Sequence, residues 1–287
     1  MTRLMSEAAE AARQALIQAG ATPGGFDWLC PEAACDIPFD DNPGLAAEAV
    51  VRAAIGGAPV DVVVQSTQGR RKRLLVADME STMIRNEMVD ELAGLVGVGD
   101  KVAEITRRAM NGEIEFRPAL RERAALLGGL EASLLKQMRE TIVFNPGART
   151  LVATMKAHGA RTALVSGGFK VYSKWVKKKL GFDKHFANDL IVRDGVVTGE
   201  LAEPILGREG KLEALDKMAA KHGLSRSDAL AIGDGANDLM ILTAAGTGVA
   251  YHAKPSVAAE ASARIDHGDL TAALYVQGYR RAEFADA

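Results

Sequence analysis

A chain of 287 residues with 35 Lys and Arg against 37 Asp and Glu, a net charge of −2 and a pI near 6.3 offers no electrostatic footprint for nucleic acid or for an anionic membrane. Its two cysteines, Cys30 and Cys35, cannot build a disulfide framework, and no second Cys or His pair stands near them to complete a zinc site. No stretch approaches the ~18 apolar residues of a membrane span, and the first residues lead into an Ala-rich helix carrying Glu and Arg, so a cytoplasmic protein with reduced thiols is expected.

In chain order, residues 2–20 carry Leu4, Ala8, Ala11, Ala15 and Ala19 at helical spacing, and Gly20 with Pro23-Gly24-Gly25 ends the helix. Short apolar pieces follow around Trp28-Leu29-Cys30 and Ile37-Pro38-Phe39. The pattern predicts a helix over Leu45–Ile55 and a strand over Val60–Gln65. Residues 1–70 thus read as a small α+β module without visible chemistry, and Arg70-Arg71-Lys72-Arg73 as a solvated linker.

Leu74-Leu75-Val76-Ala77 then runs as a buried strand straight into Asp78-Met79-Glu80-Ser81-Thr82, a polar turn at its carboxyl end. Residues 86–144 are predicted to be helical throughout, over Glu87–Leu95, Lys101–Asn111, Phe116–Leu127 and Leu130–Thr141, with breaks at Gly97, Gly99, Gly112 and Gly128-Gly129. Alternation resumes with helix Pro146–His158, strand Thr162–Ser166, helix Phe169–Leu180 and a hairpin turning at Asp194-Gly195. Helix Lys211–His222, strand Ala229–Gly233, helix Asp238–Ala245 and shorter pieces complete the chain. Strands separated by helices of this length predict an α/β fold with a doubly wound, Rossmann-like parallel sheet over 71–85 and 145–287, and an inserted helical cap over 86–144.

Four polar loops fall at strand ends that such a sheet gathers on one edge: Asp78 to Thr82, Ser166-Gly167-Gly168, Lys211 after Gly207-Arg208-Glu209-Gly210, and Gly233-Asp234-Gly235-Ala236-Asn237-Asp238. Each alone reads equally well as a turn or cap. Together they supply hard carboxylate oxygens suited to Mg²⁺, a small-residue cradle for phosphate at an expected helix start, and one cation. That combination is suited to phosphoryl transfer, with a carboxylate placed to attack phosphorus.

These motifs, in this order and with helices inserted after the first, resemble those of the haloacid dehalogenase (HAD) superfamily, and within it the phosphoserine phosphatases, over residues 74–274. The resemblance implies Asp78 as a nucleophile that forms an aspartyl-phosphate, and Mg²⁺ held by Asp78, the backbone carbonyl of Glu80 and Asp234, with Asp238 in support. It implies Ser166, Gly167 and Lys211 as phosphoryl contacts and Asn237 as an ordering residue. From the cap it implies Glu87 toward a substrate ammonium, with Phe116 and Arg123 toward the substrate body and carboxylate. Phosphoserine would be the small-molecule partner, with no nucleic acid or membrane partner and room for a homo-oligomer. For residues 1–70 it suggests a degenerate ACT-like regulatory or oligomerisation module.

One position departs from the family pattern Asp-x-Asp-x-Thr: the second acid is Glu80. In the family this residue protonates the leaving alcohol and then activates water. Glu places its carboxyl one methylene, about 1.5 Å, further from the backbone. Either the turn adjusts so that Glu80 serves as acid and base, which is the expectation, or the protein is a slow or non-hydrolytic relative that binds an amino acid or phosphate. A related phosphatase or phosphotransferase for another small phosphomonoester is the remaining alternative.

Overall fold

The computed structural model describes residues 2–40, 46–110 and 113–285. The helix start expected at Leu45, and the helix end and break at Asn111 and Gly112, lie outside them. Helix α1 (Thr2–Gln18) turns Ala8, Ala12, Ala15 and Leu16 inward, and Ala12 and Leu16 pack on Ala47 and Val51 of α2 (Ala47–Ala54). Between the helices, β1 (Asp27–Cys30) and β2 (Ala34–Asp36) form an antiparallel pair. A core this rich in alanine buries little apolar surface, so the module draws on its attachments to the rest of the chain.

Two expectations are corrected at those attachments. Val60–Gln65 is not a strand and is held instead by its polar side chains. Asp61 accepts the backbone N–H groups of Asp266, His267 and Gly268 at 2.7, 3.1 and 2.8 Å, and Gln65 Nε2 donates to Val276 O at 2.5 Å. Nor is the basic run a solvated linker. Arg70 forks onto Asp36 at 2.6 and 3.1 Å and donates to Tyr275 O and Val276 O, while Arg71 lies 4.2 Å over the Tyr279 ring and pairs with Glu283. Lys72 is buried with its ammonium on Ser227 O, and Arg73 pairs with Asp228. Each cation in the run has an acid or carbonyl waiting on another segment, which no local pattern reveals.

The main sheet begins with β3 (Leu74–Ala77), followed by helices α3 (Met88–Leu95), α4 (Gly99–Met110), α5 (Phe116–Ala125), α6 (Ala132–Gln137) and α7 (Ala148–Ala157). Then come β4 (Arg161–Phe169), α8 (Lys170–Leu180), β5 (Lys184–Asn188), the pair β6 (Leu190–Arg193) and β7 (Val196–Leu201), and α9 (Arg208–Lys221). The chain continues through β8 (Ala229–Gly233), α10 (Leu239–Ala244), β9 (Thr247–Tyr251), α11 (Pro255–Ala258), β10 (Ala263–Ile265) and α12 (Ala272–Val276). The segment expected as one helix over Leu130–Thr141 divides into α6 and a 3₁₀ turn at Met138–Thr141.

Six strands form a fully parallel sheet in the order β10-β9-β8-β3-β4-β5, confirming the predicted α/β fold. All four residues of β3 are fully buried, since helices cover both faces and no alternation with polar residues is needed. Leu75 and Ala77 face a core shared with α3, α7, α8 and α12, whereas Leu74 and Val76 face α9 and α10. The chain runs from β3 to β4 on one side and returns to β8 on the other. That reversal makes the carboxyl end of β3 the crevice where sheets of this kind bind ligands.

Helices α3 to α6 leave the sheet after β3 and return before β4. The hairpin β6–β7, expected with the α/β core, lies against these helices: Ala132 N–H donates to Gly195 O at 2.8 Å and Val197 N–H to Leu130 O at 2.8 Å. Its turn takes positive φ at both Asp194 and Gly195, the geometry of a tight hairpin that matches strand twist. Among the described residues, no helix is long and apolar enough to cross a membrane.

Candidate active site

Asp78 leaves β3 in register with the sheet, its N–H donating to Ile232 O at 2.9 Å. Asp234 follows β8 directly, and Asp238 closes the 3₁₀ turn beyond it. The three carboxylates offer oxygens within 4.8 Å of one another. Gly233 makes this approach feasible, because a Cβ there would stand 2.5 Å from the Asp238 carboxyl carbon. Lys211 enters from one turn inside α9 and places its ammonium 2.6 Å from both Asp78 Oδ1 and Asp238 Oδ1. Thr82, fully buried, donates its hydroxyl to Asp234 Oδ1 at 2.8 Å.

Charge and burial compete here. Burial lowers the Lys211 pKa, but Asp238 and Asp78 outweigh it and hold the ammonium above its ordinary range, so Lys211 stays charged. Burial, and then the charge of Asp238, raises Asp78. Asp234 is pushed up to about 6, chiefly by burial, with its Thr82 hydrogen bond opposing. Three carboxyl groups face one ammonium, so acid groups are in excess at a largely buried site. Hard oxygen donors with that excess fit Mg²⁺.

Beside the acids, β4 carries Ser166 and Gly167. The phosphate cradle was expected at a helix start, yet the strand continues to Phe169 and α8 begins only at Lys170. Ser166 Oγ accepts the Gly168 N–H at 2.9 Å. Asn188 stitches this loop to the one that launches α9: its Nδ2 donates to Gly167 O at 2.8 Å and Leu206 O at 3.1 Å, and its Oδ1 accepts Leu206 N–H at 2.7 Å. Asn237 sits half-buried between Asp234 and Asp238 with its Oδ1 against Gly235.

Helices α3 and α5, between β3 and β4, reach the site at four points. Phe116, the first residue of α5, lays its ring over two glycines, since a Cβ at Gly167 would stand 3.0 Å, and one at Gly207 3.3 Å, from ring carbons. Glu87, at the N-cap of α3 and open to solvent, accepts the Ser81 hydroxyl at 2.6 Å. Arg123, in the last turn of α5, has a buried Nε without a hydrogen-bond partner, a donor facing no acceptor of the protein. Glu80 Oε1 accepts the Met88 N–H at 2.9 Å. Its pKa is pushed up to about 8, first by burial and second by the charge of Glu87, so its carboxyl holds a proton near neutral pH.

A family model described as haloacid dehalogenase-like hydrolase matches residues 75–243. The chain belongs to that family. The phosphoserine phosphatase of Streptomyces coelicolor is 42% identical over 231 residues, covering 80% of this chain and 56% of that protein. Among solved structures, a HAD family hydrolase from Salmonella enterica serovar Typhi superposes with a TM-score of 0.82 at 26% identity, covering 93% of each chain. A phosphoserine phosphatase solved as a phospho-aspartyl intermediate analogue gives a TM-score of 0.67 at 38% identity, covering 71% of this chain and 98% of that one. The chain spans a little over half the length of the first curated relatives it matches, 56 to 57%.

Within this haloacid dehalogenase-like frame, the fold brings Asp78, Asp234, Asp238 and Lys211 into one cluster, with Ser166 and Gly167 on the next strand and Phe116 against them. Asp238 stands in the acid cluster itself, whereas the Glu80 carboxylate does not, its side chain having turned away toward Met88 and Gly168. Of four further residues on which the geometry depends, Thr82, Gly168 and Gly207 stand in the polar loops without an assigned role, and Asn188 lies outside them. Thr82 was legible as the hydroxyl closing the first motif. Asn188, Gly207 and Gly168 carry no local signal of their roles, because their partners are distant in sequence or are side chains that fold over them.

Proposed function

We propose that the protein is a Mg²⁺-dependent phosphatase that hydrolyses O-phospho-L-serine to serine and phosphate through an aspartyl-phosphate on Asp78. The observation that carries this reading is the buried Asp78 carboxylate fixed at 2.6 Å by a charged Lys211 beside Asp234 and Asp238. The names of the curated relatives support the substrate, as does the unpartnered Arg123 Nε across from Glu87, since a zwitterion needs one fixed guanidinium and one fixed carboxylate. We assign the site to a cap over residues 86–144 closing on a core of 71–85 and 145–287, with residues 1–70 as a regulatory or oligomerisation module, in a cytoplasmic enzyme of serine biosynthesis.

In this mechanism Ser166, the Gly167 N–H and Lys211 hold the phosphoryl oxygens, while Phe116, Glu87 and Arg123 close over the amino acid. Asp78, Asp234 and the Glu80 carbonyl would hold Mg²⁺, which would supply charge neutralisation when bound, while Asp238 braces Lys211. Lys211 occupies Asp78 Oδ1, and the other oxygen attacks phosphorus. As the phosphorus–oxygen bond to serine breaks, protonated Glu80 delivers its proton to the departing hydroxyl. Glu80, now a carboxylate, takes a proton from water that attacks the aspartyl-phosphate, and the Asp78–phosphorus bond breaks to release inorganic phosphate. Asn237 orders the turn between the acids.

Incubation with phosphoserine and Mg²⁺, against a panel of other phosphomonoesters and an EDTA control, tests the reading. Selective, EDTA-sensitive phosphate release is expected. Broad release would point to another phosphomonoester substrate, and none to a binding protein. Glu80→Gln is expected to reduce turnover by ~10²–10⁴-fold, the usual contribution of general acid–base catalysis, whereas Glu80→Asp keeps it. Hydrolysis by Glu80→Gln at the parent rate would refute the acid/base role.

A further inference from the structure

We infer that Gly168 is the residue that allows a glutamate to serve at position 80, by leaving open the space into which the longer side chain folds. A Cβ built on Gly168 would stand 2.5 Å from Glu80 Oε2, 3.0 Å from its carboxyl carbon and 3.1 Å from Oε1, so the Glu80 carboxyl would have to leave its present position. The backbone does not demand glycine at this position. Gly168 is absent from the residues of positive φ, and its N–H is already given to Ser166 Oγ at 2.9 Å. What the site uses is the missing side chain.

The Glu80 carboxyl thus lies between the bare face of Gly168 and the start of α3. Oε2 lies on the bare face of Gly168 in the core strand β4. Oε1 accepts the N–H of Met88, the first residue of α3, at 2.9 Å. A Glu reaches about 1.5 Å further than an Asp from the same backbone. Folding over Gly168 gives that extra length a place to lie, with the carboxyl held between β4 and the start of α3. Gly168 is thus a positioning residue whose effect runs through Glu80, and its function in turnover rests on the phosphatase reading above.

The test is a cycle of Gly168→Ala, Glu80→Asp and the double variant. Gly168→Ala is expected to lower kcat on phosphoserine by ~10²-fold or more, approaching the loss of acid–base catalysis, with a smaller change in KM. Adding Glu80→Asp, which withdraws the colliding atoms, is expected to bring the double variant above Gly168→Ala and level with Glu80→Asp alone. A glycine serving only strand β4 would show no such rescue. Gly168→Ala at the parent kcat, or a double variant no better than Gly168→Ala, overturns the inference. A second cycle is read as the urea midpoint of unfolding and needs no activity. Gly168→Ala should lower the midpoint beside Glu80 and leave it nearly unchanged in a Glu80→Ala background, and equal shifts in both backgrounds overturn the contact. Should the parent protein release no phosphate from phosphoserine, the function reading fails while the second cycle still decides the role of Gly168.

Discussion

Asp78→Asn is expected to abolish phosphate release from phosphoserine, by a factor on the order of 10⁶, the scale on which loss of a covalent nucleophile falls in well-studied hydrolases. The substitution keeps the shape of the side chain and removes its nucleophilic charge. The fold is expected to survive, for a stated reason. Burial and the charge of Asp238 raise the Asp78 pKa, so the ionised form is disfavoured in the folded chain, and a neutral residue of the same size removes that penalty. Lys211 retains Asp238 as a partner at 2.6 Å. The unfolding midpoint of the variant should therefore be no lower than that of the parent. Rapid mixing with labelled phosphoserine followed by an acid quench should trap protein-bound phosphate in the parent and none in Asp78→Asn. Labelling of the variant at the parent level would show that the covalent group is another residue.

Lys211→Met is expected to act on stability as well as on turnover, which separates it from Asp78→Asn. The ammonium is 1% exposed and bridges two buried carboxylates at 2.6 Å each. A methionine of similar volume fills the space but leaves both acids without their cation. Breaking a buried pair in this way costs ~3–5 kcal/mol, because an uncompensated charge stays in a site with little water. Loss of one preorganised group facing the transferring phosphoryl should reduce kcat by ~10²–10³-fold. Denaturant unfolding and steady-state rates on the same preparation check both. A variant as stable as the parent would mean that the buried ammonium contributes no net stability between Asp78 and Asp238.

Much of the fold and of the site is legible in the sequence, for identifiable reasons. Leu74 to Ala77 could be read as a buried parallel strand because an uninterrupted apolar run ending in an acid has few other uses. Asp78, Ser166, Lys211 and Asp234 could be gathered into one site because a parallel sheet places the carboxyl ends of its strands along one edge. The strand expected at Val60–Gln65 failed because an apolar run does not show how it is held, and here the Asp61 and Gln65 side chains tie it to the backbone of Asp266, Gly268 and Val276 with no partner strand. The basic run at Arg70–Arg73 misled for the same reason. A charge pattern shows the cations and not the distant Asp36, Asp228 and Glu283 that meet them.

The sequence by itself determined the alternation of strands and helices, the order of the four motifs and the identity of the groups that carry the chemistry, since these follow from local periodicity and residue type. Tertiary structure alone decided their relations. Lys211 lies between Asp78 and Asp238 because α9 packs beside β3 and α10, and Asn188 ties two loops 18 and 21 residues away. Glu80 can follow the path to Met88 only because Gly168, a residue on another strand, presents no side chain. Such complementarity arises from atoms brought together by packing, and no spacing along the chain encodes the gap that one residue leaves for another.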